Sequence, residues 1–224
     1  MARWLFLACT AFVALAACTQ DNEPANPVPQ PVNLADGATE APSDAPTDAG
    51  REAAEPVPDA ACSVTVEAHA IEGAQHMATC SPLTFGTNPP SSGNHYAIWA
   101  AYRTYTQPFL PGFWVHSLEH GAVVIGYHCD GGCPDEVARA QAFIDALPAD
   151  CGGAPARRVI LLPNPDLDVR WAASAWGFTL RADCFDEPTF AAFVAAHYAH
   201  APEDICSDGL DPLTAGTGGA PLCP

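Results

Sequence analysis

The chain has 224 residues, with 26 acidic against 8 basic side chains and a formal net charge of −18; all eight basic residues are arginine. A chain so acidic, with no basic patch, repels a phosphate backbone, so nucleic-acid binding is excluded; the lack of lysine excludes lysine-based catalysis. Its one long apolar run, within residues 4–17, is shorter than the roughly 20 residues a membrane helix needs.

Residues 1–17 carry Arg3, an apolar stretch from Trp4 to Val13 and then Leu15-Ala16-Ala17, directly before Cys18. This pattern predicts an export signal. The tetrapeptide Leu15–Cys18 resembles a bacterial lipobox, which implies that Cys18 becomes the lipid-bearing first residue. Thr19, where a retention signal shows Asp, resembles lipoproteins sorted to the outer membrane. Residues 18–60 are rich in proline, alanine and acid, with Arg51 the single basic residue. Such a stretch buries too little apolar surface to offset the entropy of ordering and reads as a soluble tether. Residues 61–224 hold four of the five tryptophans and all eight histidines, enough for one folded domain.

Eight cysteines remain in that domain: Cys62, Cys80, Cys129, Cys133, Cys151, Cys184, Cys206 and Cys223. An even number in an exported chain predicts disulfides, and proximity suggests Cys62 with Cys80 and Cys206 with Cys223. The run from Gly121 to Tyr127 reads as a buried strand. Pro134, followed by Asp135 and Glu136, opens a helix whose apolar positions Val137, Ala140, Phe143, Ile144 and Leu147 recur at helical spacing until Pro148. Arg158–Leu162 is the next strand; in Trp171–Leu180, Ala172, Ala173 and Ala175 favour helix while Trp176, Phe178 and Leu180 alternate as in a strand, with a β-hairpin partner the favoured reading; Asp186-Glu187-Pro188 starts a second helix reaching about Ala199. The order predicts an α+β domain, a small mixed sheet with two packed helices in a thioredoxin- or ferredoxin-like topology, clamped by disulfides.

Function is expected in the weakly periodic residues 61–120, on loops held by the sheet. His116 and His120 are four apart and share a helical face, with Glu119 beside them. If His76 and His95 fold in, three or four imidazole nitrogens converge, a donor set that suits copper or zinc. Glu119 then serves as the carboxylate that receives an imidazole N–H. His69, His128, His197 and His200 read as structural.

The segments Pro-Pro-Ser-Ser-Gly-Asn-His95-Tyr, Val-His116-Ser-Leu-Glu119-His120-Gly and Ala-Ala-Ser-Ala-Trp-Gly resemble the DUF3105 family, a bacterial extracytoplasmic family of unknown function, over roughly residues 70–205. The resemblance implies characteristic histidines at His76, His95, His116 and His120 and brings no activity with it. The chain departs from the family pattern in its many cysteines and in a lipobox where a membrane helix is usual.

Three other readings compete. His-Ser-Leu-Glu-His also matches the inverted zinc-protease pattern, which needs a long helix that Gly121 argues against. Cys129 to Cys133, followed by Pro134, resembles the copper motif of Sco-type proteins and would support thiol–copper or dithiol redox chemistry. Aromatics at Tyr96, Trp99, Tyr102, Tyr105, Phe109, Phe113 and Trp114 would otherwise serve an interaction module that captures an envelope protein. The favoured expectation is an envelope lipoprotein, attached to the membrane through Cys18, that binds or hands on copper or zinc rather than catalysing a reaction.

Overall fold

A computed structural model describes residues 62–223 except 154 and 156; the signal, Cys18 and the tether lie outside the described residues. Seven strands and three helices follow one another: β1 (Val64–Ala68), β2 (His76–Met77), β3 (His95–Tyr96), α1 (Pro111–Glu119), β4 (Val123–Tyr127), α2 (Pro134–Ala146), β5 (Val159–Pro163), β6 (Trp171–Ala175), β7 (Phe178–Ala182) and α3 (Glu187–His197). The main sheet has the order β1-β7-β6-β4-β5. Only β4 and β5 are parallel in it, joined by the α2 crossover. A separate parallel pair, β2 with β3, sets His76 opposite His95.

The sheet is covered on both faces, which explains why β4 and β5 read as unbroken apolar runs. Val123 and Ile125 join Val159 and Leu161 against Phe143, Ile144, Phe190 and Phe193 of α2 and α3. Their alternates Val124, Ile160 and Leu162 pack on the other face against Phe113, Trp114 and Leu118 of α1. That alternation is the period-two geometry of a strand. The expected helices appear at α2 and α3, the latter capped by Asp186, whose carboxylate accepts the Thr189 N–H at 3.1 Å.

Two features differ from the sequence reading. A third helix, α1, is buried from Gly112 to Glu119, so it has no polar face to generate an amphipathic pattern. Residues 171–182 form a hairpin of two strands around Trp176-Gly177, where Gly177 has φ +77°, rather than one strand, and its first strand pairs with β4 and not with β5. No helix among the described residues is long and apolar enough to cross a membrane.

The disulfides correct the proximity argument. The pairs are Cys62–Cys184, Cys80–Cys223, Cys151–Cys206 and Cys129–Cys133, not Cys62 with Cys80 and Cys206 with Cys223. The reason is topological: β1 pairs with β7, bringing Cys62 to the residues that follow β7, and the C-terminal segment returns to the loop after β2. Chain-entropy arguments assign on the order of 5 kcal/mol to each of the two longest loops and about 2 kcal/mol to a loop of a few residues. We therefore expect Cys62→Ser with Cys184→Ser to lower the urea-unfolding free energy by about 3–5 kcal/mol, and Cys129→Ser with Cys133→Ser by about 2 kcal/mol or less. Equilibrium urea titration of the two double variants checks the difference.

Candidate metal centre

Three chain segments converge on one point. Gly93 has φ +120°, and a Cβ there would meet the Phe85 ring at 3.1 Å; glycine lets the loop turn beneath that ring. Ser91 and Ser92 are buried. The Ser92 hydroxyl accepts the Glu72 N–H at 3.1 Å, and the Ser91 carbonyl accepts the Gly177 N–H at 2.8 Å. The loop thereby hangs from the β6–β7 turn and delivers His95 into the interior, where Trp176 lies edge-on to it with ring centroids 6.1 Å apart. The neighbouring strand β2 brings His76 alongside, its backbone carbonyl segment closed by the His95 N–H to Gln75 O bond at 3.1 Å.

Helix α1 supplies the remaining groups. His76, His95, His116 and Glu119 each offer a ligand atom, and these atoms all lie within 4.8 Å of one another. The rings of His76, His95 and His116 have centroid separations of 5.1, 4.5 and 4.7 Å. His95 Nδ1 donates to Gly93 O at 2.8 Å, and His116 Nδ1 donates to Tyr96 O at 2.7 Å. A carbonyl only accepts, so both rings carry their proton on Nδ1 and, when neutral, present an Nε2 lone pair. His95 Nε2 is buried without a hydrogen-bond partner yet stands 3.0 Å from Glu119 Oε2; His76 Nε2 is 3.7 Å from the same oxygen. A lone pair facing a buried carboxylate is electrostatically unfavourable, and a cation held between or beside them would relieve it. His95, His116 and Glu119 are buried, whereas the His76 side chain is 50% exposed, so the group opens to solvent through His76.

His120 falls outside this group. Relative to His116, a residue three positions on lies 60° to one side of the helix axis and a residue four positions on lies 40° to the other. The β2–β3 pair packs on the first side and selects Glu119. His120 turns to Glu203, with Nε2 3.1 Å from its carboxylate, and lies edge-on to Trp99 with centroids 4.7 Å apart. Of the residues the sequence singled out, His76, His95 and His116 are brought together, with Glu119 among the donors rather than behind them. Glu203 had no signal in the sequence, since it lies 83 residues beyond His120 in a polar segment.

The end of α1 is held from the C-terminal side. Gly121 has φ +87°, and a Cβ there would meet Ala199 Cα and Arg158 Nη1, each at 2.9 Å. Buried Arg158 donates to His120 O at 2.8 Å and to the carboxylates of Asp204 and Asp150. Burial opposes the Arg158 charge, but the bonds to Asp204, Tyr198 and Asp150 more than offset it and raise its pKa. The Glu203 N–H reaches Glu119 O at 3.0 Å, and the Trp99 indole N–H reaches Ser207 O at 3.1 Å.

The other readings meet specific obstacles. Helix α1 stops at Glu119, before the protease pattern could continue on a long helix. Tyr96, Tyr102, Tyr105, Phe113 and Trp114 are core residues between 1% and 9% exposed, which removes most of the aromatic surface suggested for partner capture; Trp99 is half-buried against the histidines. Cys129 and Cys133 are bonded to each other and as such offer no thiolate to copper. In the groups Cys62, Asp183, Cys184 and Asp150, Cys151, Cys206 the sulfurs are likewise in disulfides, leaving one carboxylate in each.

Burial, then the neighbouring His120 and His95, pushes the His116 pKa from 6.5 down to about 3, and burial lowers that of His120. The unfolded chain therefore takes up protons below about pH 6.5 that the fold refuses, so these groups favour folding above that pH and lose their contribution as pH falls toward 3. We expect the urea midpoint of chelator-treated protein to drop between pH 6.5 and 4, with a shallower drop in His116→Gln; titrations at successive pH values check this.

No curated protein and no solved structure matches the chain. The family model described as "Protein of unknown function (DUF3105)" matches residues 76–208, a span that contains the whole donor group, Glu203 and the β6–β7 turn. With more than half of its length matched, the chain belongs to the DUF3105 family.

Proposed function

We propose that this domain binds a divalent transition-metal ion, copper or zinc, through His76, His95, His116 and Glu119, and holds or hands on that ion without turning over a substrate. One observation carries the reading: the His95 Nε2 is buried, lacks a hydrogen bond and faces the Glu119 carboxylate 3.0 Å away. Three imidazoles and a carboxylate are borderline-to-hard donors, and with the eight described cysteines in disulfides no thiolate competes. That set favours Cu(II) or Zn(II) over Cu(I). The lowered His116 pKa keeps that ring neutral at physiological pH, as ligation requires. Exposure of His76 alone gives the ion a route in and out.

We also propose that the protein is exported and anchored to the outer membrane through lipid on Cys18, a reading that rests on residues 1–19. We further propose a thioredoxin-type layout lacking a helix between β5 and β6, a reading supported by the strand order β7-β6-β4-β5, the β4–α2–β5 crossover and the β6–β7 hairpin.

The test is elemental analysis of the purified full-length protein with calorimetric titration of Cu(II) and Zn(II). About one equivalent is expected, with affinity reduced at least about tenfold in His76→Ala and abolished in His95→Ala with His116→Ala. Metal should also raise the thermal midpoint of the wild type, because the ion binds the folded state alone. Metal-free protein that binds neither ion rejects the proposal.

A further inference from the structure

We propose that the Cys129–Cys133 disulfide is a thiol-exchange site, taking two electrons from a dithiol peptide or protein.

Three of the four disulfides join residues 55 to 143 apart and staple distant segments. Cys129 and Cys133 are four apart and close only the Asp130-Gly131-Gly132 turn, between elements already consecutive in the chain. Loop-closure entropy gives such a bond the least structural weight. Its position is that of a reactive group: it follows the carboxyl end of β4, which pairs parallel with β5 on one side and antiparallel with β6 on the other. Crevices at the carboxyl ends of strands, where connections diverge, are where open α/β sheets place ligands.

The two sulfurs have unequal surroundings. Cys133 is 7% exposed and is the N-cap residue of α2, a 13-residue helix with no side chain capping its first turn. A thiolate on Cys133 lies near free N–H groups and the positive end of the helix, which stabilises it as a leaving group. Asp135 and Glu136 oppose this from the same turn, but Glu136 is engaged by Arg170 and by the Trp171 indole. Cys129 is only partly buried. A Cβ on Gly131 or Gly132 would meet nothing within 4 Å, so an incoming thiolate reaches Cys129 over an open turn. Beside that turn a cavity of about 340 Å³ is lined by His128, Asp130, Leu167, Asp168 and Arg170, with Asp130 belonging to both, and it offers a seat for the chain bearing the attacking thiol.

The exchange balances as two substitutions. A substrate thiolate attacks Cys129 Sγ; the Cys129–Cys133 bond breaks, a mixed disulfide forms and Cys133 departs as thiolate. The second substrate thiolate attacks the substrate sulfur of the mixed disulfide and releases Cys129. The substrate leaves as a disulfide, and two electrons and two protons reside on Cys129 and Cys133.

This inference does not depend on the metal reading, and one experiment separates them. Full-length, fully oxidised protein is mixed with a reduced two-cysteine peptide, quenched at intervals, alkylated and mapped by mass spectrometry. Cys129 and Cys133 should become labelled at least about tenfold faster than the six cysteines of the other three described disulfides, in step with peptide disulfide formation. Cys129→Ala with Cys133→Ala should abolish peptide oxidation while leaving copper or zinc content unchanged. Equal labelling rates across the four pairs, or peptide oxidation persisting in the double variant, would overturn the proposal.

Discussion

Glu119 carries a carboxylate into an interior where only 6% of the residue meets solvent, and its ionic partners among the described residues are the imidazoles of His76 and His95 rather than a guanidinium. A buried charge is tolerated only when it is compensated. Burial holds His116 well below its usual range, so that ring stays neutral near neutrality. A cation shared by the carboxylate and one nitrogen of each of the three imidazoles, as proposed above, would satisfy every group at once. The surrounding architecture holds those four side chains at that spacing.

The supporting interactions come from far apart in the chain. Parallel pairing of β2 with β3 fixes two histidines; carbonyls of Gly93 and Tyr96 fix the rings of His95 and His116. Such bonds set tautomer and ring orientation, the usual task of groups behind a metal ligand. The C-terminal segment, tied by Cys151–Cys206 and Cys80–Cys223, brings Glu203 to His120 and a carbonyl to Trp99. Arg158 links the same segment to the end of α1 through three acceptors. The segments around Ser91–His95, His116–Gly121 and Ala172–Gly177 meet at this centre.

How legible this was differs by element. Helices α2 and α3 could be read because each has an exposed side and explicit start signals at Pro134 and Asp186; β4 and β5 could be read because both faces are buried and β-branched or leucine residues fill them. Helix α1 lacked periodicity since packing surrounds it, and the Ala-rich β6 hid its hairpin turn at Gly177. His76, His95 and His116 were visible as unusual residues in unusual loops. The choice between Glu119 and His120 was not, because it depends on which side of α1 the β2–β3 pair occupies. The other three disulfide pairings, unlike Cys129–Cys133, and Glu203 depend on long-range topology and left no local trace.

The most direct measurement is X-ray absorption at the metal edge of zinc-loaded full-length protein. The account predicts a first shell of nitrogen and oxygen only, at about 2.0–2.2 Å, with the multiple-scattering signature of about three imidazoles that falls by one in His76→Ala. A sulfur scatterer near about 2.3 Å, or a shell without imidazole scattering, would contradict it.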